Sequence, residues 1–244
     1  MNRTKKIRIS ALAFAAALLL ALFGAPLSAA AVYELPADVS INAQAALVVG
    51  LGPTQADDTV LYERDADAMK SPAALIKFMV AAVSIQMIRD KNIDIDTATG
   101  TYTIEAFNRF AGTGLTDANM KFGETWTIRD LLSISSIRTA ADACMTLAIT
   151  LAGSEEQFVA EMNATAKKIG CENTSFANVT GIDHINQYTT ARDIYRIMRY
   201  AMDFPEFEPL FSASQYTATP VSGGEGDRSL PSSNDILRQS TKYY

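Results

Sequence analysis

Few side chains in this sequence are placed to do chemistry, and their positions narrow what that chemistry is. Lys77 is the one charge in the apolar run at 73–88, AALIKFMVAAVSIQMI. A lone ammonium in such a run is costly to bury unless it is paired or used. The alternative is a stem that packs while the amine reaches the surface. The single histidine, His184, lies in a polar stretch at 183–187 and reads as a solvated loop residue. One imidazole there argues against a His-based zinc site or a Ser-His-Asp triad. Cys144 and Cys171 both fall in helical or helix-adjacent segments. Export would permit a disulfide, but two cysteines make no framework, and free buried thiols are the favoured state. No metal and no cofactor is implied.

The elements that must position these groups are legible from pattern. Two short β-prone runs, 45–50 (AALVVG) and 59–63 (TVLYE), flank a loop with Gly52 and Pro53 and read as a hairpin. Pro72 suits the first turn of the helix that follows, and that helix is apolar nearly all round, so it should run through the core. A second apolar helical stretch covers 127–152 and a third covers 155–169. Ser154 to Gln157 is a capping box for the third, and Gly170 is its stop. A fourth helix covers 190–202, ended by Pro205, and 222–233 reads as loop. Three Asn-x-Ser/Thr sequons, at Asn163, Asn173 and Asn178, read as chance occurrences.

The N-terminus bounds the compartment. Arg3, Lys5, Lys6 and Arg8 precede an apolar run at 9–23, and Gly24, Pro26 and the small residues 28–31 follow. That order is a secretory signal peptide, cleaved after Ala30 or Ala31. An uncleaved signal would be the one route to the membrane. Residues 1–31 are thus read as signal and 32–244 as one exported domain, periplasmic or extracellular. The formal net charge of −6 becomes more negative once the basic signal is gone, which excludes a basic nucleic-acid face.

Four segments in order resemble the serine D-alanyl-D-alanine carboxypeptidases, the low-molecular-weight penicillin-binding proteins. They are 61–77 (LYERDADAMKSPAALIK), 123–143 (GETWTIRDLLSISSIRTAADA), 152–183 (AGSEEQFVAEMNATAKKIGCENTSFANVTGID) and 188–194 (YTTARDI). The resemblance implies an α+β, β-lactamase/transpeptidase-like domain, a helical cluster packed on an antiparallel sheet. Because the sequence stops early, the sheet is expected to be incomplete: the N-terminal hairpin remains, with a further strand at 211–219. Apolar surface on the helix after Pro72 would then stay uncovered and a strand edge unpaired.

That family's chemistry needs Ser-x-x-Lys at a helix start, Ser-x-Asn on a nearby loop and Lys-Thr-Gly on a strand. The Ser-x-x-Lys spacing puts the amine beside the hydroxyl it deprotonates. Here the first motif reads Pro72-Ala73-Ala74-Leu75-Ile76-Lys77, so Ala74 occupies the nucleophile position and Lys77 the general-base position. The second reads Thr139-Ala140-Ala141, so a hydroxyl remains at Thr139 but the amide is lost at Ala141. The third is absent from the sequence, which ends QSTKYY. A methyl group cannot attack a carbonyl, so the resemblance implies at most binding of a D-Ala-D-Ala stem peptide of peptidoglycan, or a regulatory role. A truncated or altered copy of an active enzyme and a cell-surface protein-interaction domain are the other readings. Lys77, Thr139 and Asp142 are expected to line the cleft, with structural hydrogen bonding the alternative for Asp142. A lowered pKa is expected at Lys77.

Overall fold

The computed structural model describes residues 42–238; residues 1–41, which include the stretch read as a signal peptide, and the last six residues, 239–244, lie outside them. Strand β1 (Ala46–Gly50) pairs antiparallel with β2 (Thr59–Arg64), with a bulge between Val48 and Val49. Between them Thr54 and Asp57 form a reciprocal capping box on one 3₁₀ turn, the arrangement that satisfies two orphan donors at once. Pro72 opens a 3₁₀ turn (Ala73–Leu75) that feeds helix α1 (Ile76–Asp90).

The rest of the chain wraps α1. In order come β3 (Thr99–Thr101), α2 (Ile104–Asn108), β4 (Thr125–Thr127), α3 (Ile128–Ile137), α4 (Ala141–Ala152), α5 (Glu155–Lys168), α6 (Ala191–Ala201), α7 (Phe207–Ser212), β5 (Gln215–Ala218), β6 (Arg228–Pro231) and α8 (Asp235–Arg238). Helices α3 to α7 all contact α1, and its residues Ile76, Met79, Val80 and Ile85 are buried. The all-round apolar character read from the sequence is therefore met by helices on several sides. Apolar surface of α1 is left open near its last turns, where Ile85 and Ile88 line a cavity of about 420 Å³, and near its start, where Phe78 lines a second cavity.

Side-chain caps set the helix starts. Thr127 accepts from the Asp130 N–H, Ser154 from the Gln157 N–H, and Thr190 from the Asp193 N–H. Each satisfies a donor that has no partner within the helix. Gly153 closes α4 with a left-handed φ of 91°, the conformation glycine adopts without strain.

Three sequence expectations need correction. The stretch at 127–152 is two helices, because Thr139 has a φ of 57° and turns the chain between α3 and α4. Hydrophobic periodicity carries no signal for a single left-handed residue. The stretch at 222–233 is not all loop: β6 forms there and pairs with β5, which begins only at Gln215 because α7 takes the residues before Ala213. The α+β class holds, but among the described residues the strands make three small two-stranded antiparallel sheets, β1–β2, β3–β4 and β5–β6, where the sequence reading expects one incomplete sheet. Among the described residues, β1 pairs on one side only.

A buried ion pair links two of these ribbons. Arg228 of β6 bonds the carboxylate of Glu124 and lies over the Trp126 ring, 5.0 Å from its centroid. Glu124 also accepts the Lys121 N–H at 2.8 Å. Breaking such a pair from one side leaves a buried charge without compensation. Arg228→Ala should therefore lower stability by about 3 kcal/mol, read as a lower urea midpoint at unchanged slope.

Candidate active site

Ala73 has a φ of 43° and sits one residue before Ala74. This left-handed alanine throws the chain into the 3₁₀ turn and places Ala74 at the surface, while Lys77, one turn on, points inward with only 3% of its surface exposed. Both residues line a cleft of about 370 Å³, together with Thr139, Ser136, Phe211 and Asn234. The structure thus brings Ala74, Lys77 and Thr139 into one cavity. Ala141 and Asp142 are buried in the first turn of α4 and are not part of its wall.

Lys77 does not snorkel. Its Nζ donates to the Thr180 carbonyl at 2.7 Å and to the Val179 carbonyl at 3.3 Å. The Cys144 thiol also donates to the Val179 carbonyl, at 3.0 Å. Burial holds the Lys77 pKa below that of a free lysine, with the Cys144 sulfur pulling weakly the other way. The expected direction of the shift is therefore present, and its cause is desolvation. Burial likewise pushes the Cys144 thiol up, so it is a packed thiol rather than a thiolate. Both cysteines are free and buried.

The carbonyls that hold Lys77 belong to the loop 176–183, and that loop is tightly fixed. Asn178 Oδ1 accepts from the N–H groups of Thr180 and Gly181, and its Nδ2 donates to the Ile182 carbonyl. Gln187 Oε1 accepts from the Ala177 and Asn178 N–H groups. Glu155, at the start of α5, accepts the Val179 N–H at 3.1 Å. Burial raises the Glu155 pKa, and the Val179 N–H and Arg109 oppose the rise. Gly181 has a φ of 90°, and a Cβ there would stand 2.4 Å from the Ala73 carbonyl oxygen. The loop can reach Lys77 because that position carries no side chain.

Asp142 has the structural role. Its carboxylate accepts from the N–H groups of Ala118, Met120 and Ala143 and so pins the 118–120 segment to α4. Burial raises its pKa and those donors oppose the rise. The expectation that it lines the cleft is corrected, because every polar contact it makes is to backbone. His184 is exposed in its loop, as read from the sequence. No group of three or more His, Cys, Asp or Glu that could hold a metal occurs among the described residues. The sequence reading missed the Val179–Thr180 carbonyls and the Asn178 and Gln187 hubs. Asn178-x-x-Gly181 is a turn signal that could have pointed to them.

The profile of the D-alanyl-D-alanine carboxypeptidase family matches residues 31–229. The chain belongs to this family. Its similarity to Escherichia coli DacC is 33% identity over 181 residues, 73% of this chain and 45% of that protein. For Salmonella typhimurium DacD it is 31% over 210 residues, 84% and 52%. The chain spans about half or less of the length of these carboxypeptidases. Among solved structures, Francisella tularensis DacD superposes with a TM-score of 0.67 at 27% identity, covering 78% of this chain and 45% of that one. A Streptomyces DD-transpeptidase superposes with a TM-score of 0.68 at 25% identity, covering 75% and 72%. Family membership carries the serine-peptidase, penicillin-binding fold.

A lysine with a depressed folded-state pKa makes stability depend on pH in a definite sense. As pH falls from 10.5, the unfolded chain takes up the Lys77 proton first while the folded protein resists. The stabilising contribution of the neutral amine is present above that pH and is lost as pH falls toward the folded value. Lys77→Met should therefore raise stability by about 1 kcal/mol or more at pH 6 and by less at pH 9, measured by urea denaturation at both. Parallel curves for the two proteins would refute this.

Proposed function

We propose that this chain is an exported, non-catalytic member of the family that binds the D-Ala-D-Ala end of peptidoglycan stem peptides, in a binding or regulatory role. One observation carries this reading: Ala74, to which the family resemblance gives the nucleophile's place in the motif, lines the same cleft as Lys77 and Thr139 and offers it a methyl group rather than a hydroxyl. Two features support it. The base position, Lys77, is committed to the Val179 and Thr180 carbonyls, so its amine already has partners. Ala141, at the amide position, offers only a methyl group. The relatives are named as D-alanyl-D-alanine carboxypeptidases, which is the ground for taking a D-Ala-D-Ala peptide as the ligand. Export rests on the charged, apolar and small residues of 1–31.

The test is the intact mass of the natively expressed protein before and after incubation with penicillin. The expected result is a chain lacking its signal and carrying no adduct. A covalent penicilloyl adduct would show a working nucleophile, and the enzyme reading would replace this one. A sharper form uses Ala74→Ser. Restoring the hydroxyl alone should leave hydrolysis of a D-Ala-D-Ala peptide at background, because Lys77 stays bonded to the loop and Ala141 still lacks an amide. Release of D-alanine by that variant would overturn the reading of the site as degenerate beyond its nucleophile.

A further inference from the structure

We propose that a cavity separate from the cleft binds a small phosphorylated sugar or polyol. The cavity is about 630 Å³ and shares no lining residue with the cleft. Its walls come from the loop after β1, the end of α5 and the second half of α6. Lys168, Arg196 and Arg199 bring three cations to this wall, against one carboxylate, Asp203. The wall is therefore two charges positive in a chain whose formal net charge is −6. Cations gathered in one concavity of an acidic protein draw an anion to that place.

Both arginines are held from behind. Arg196 Nη1 donates to Asp193 at 2.6 Å, and Arg199 Nε stands 3.1 Å from Asp58. These carboxylates have only 1% and 3% of their side-chain surface exposed, and neither is part of the wall. Each is fixed in turn: Asp193 accepts from the Asn173 N–H and the Thr174 hydroxyl, and Asp58 from the Gly52 N–H and the Tyr195 hydroxyl. The two pairs reduce the field of the arginines, but they also set the planes of the guanidinium groups. Nε and Nη2 of Arg196 and Nη1 of Arg199 then keep no hydrogen bond among the described residues.

A phosphate monoester suits such a wall. It carries about −1.5 to −2 charges near neutral pH. Its oxygens face several directions, so an ammonium from α5 and guanidinium groups from α6 can share it. The phosphate fills only part of the cavity. Tyr200, whose ring packs edge-on against Phe204, lines the remainder with Thr54 and Gln55. An aromatic ring beside a hydroxyl and an amide matches the apolar face and the hydroxyl groups of a sugar.

The experiment titrates glucose 6-phosphate, inorganic phosphate and glucose into the protein by calorimetry at low and high salt. Glucose 6-phosphate should bind, inorganic phosphate should bind about tenfold more weakly, and glucose should give no signal. Salt should weaken both phosphates. Lys168→Gln should weaken the sugar phosphate about tenfold, and Gln55→Lys should tighten it by a similar factor. Both positions are exposed, so neither change should move the urea midpoint. No binding of glucose 6-phosphate at millimolar concentration would overturn the inference. Equal binding of inorganic phosphate would do so too, because the sugar would then contribute nothing. An affinity that neither substitution changes would place the anion elsewhere and overturn it as well. The result does not depend on what the cleft binds, since the two cavities have no residue in common.

Discussion

An amine inside a hydrophobic core has to be solvated by the protein, and at Lys77 that requirement organises its surroundings. The ammonium cannot reach water from the first turn of α1, so two carbonyl oxygens must come to it. Carbonyls approach a buried side chain only if their own segment is held away from regular structure. That is the work of Asn178, Gln187 and Glu155, which between them take up the N–H groups at 177–181. The path has room only because Gly181 lacks a Cβ against Ala73. One desolvated charge thus accounts for a glycine, an Asn turn and a buried glutamate that are distant from it in sequence.

Two of the five non-glycine residues with positive φ among the described residues stand at or beside the same cleft. Ala73 and Thr139 both have positive φ without being glycine. Such residues cost on the order of 1–3 kcal/mol each and persist only where the surroundings over-determine them. Ala73 immediately precedes Ala74 at the cleft, and Thr139 lines the wall of the same cleft.

The elements that repeat a period were legible in the sequence: α1 from its continuous apolar run, α5 from Ser154 and Gly170, α6 from Thr190, and the β1–β2 hairpin from Gly52-Pro53. The positions of Ala74, Lys77 and Thr139 in one cavity followed from motif order, and the structure brings them together. Features set by single residues or by distant pairs were not legible. The break at Thr139 depends on one dihedral angle, which no pattern encodes. Strand β6 is four residues in a Gly/Ser/Pro-rich stretch, made a strand by pairing with β5 and by the Arg228–Glu124 contact. Asp142 was placed in the cleft by its neighbours in the motif, whereas its partners are N–H groups from a loop more than twenty residues earlier. Sequence order could not reveal that.

The buried charges around the cleft are solvated separately rather than by one another. Asp142 is held by three backbone N–H groups, and Glu155 by the Val179 N–H and by Arg109 at its outer edge. Lys77 is held by carbonyls. Lys77 and Asp142 are held by backbone dipoles alone, and Glu155 by one such dipole and Arg109, and a backbone dipole cannot be withdrawn from a buried charge without opening the fold.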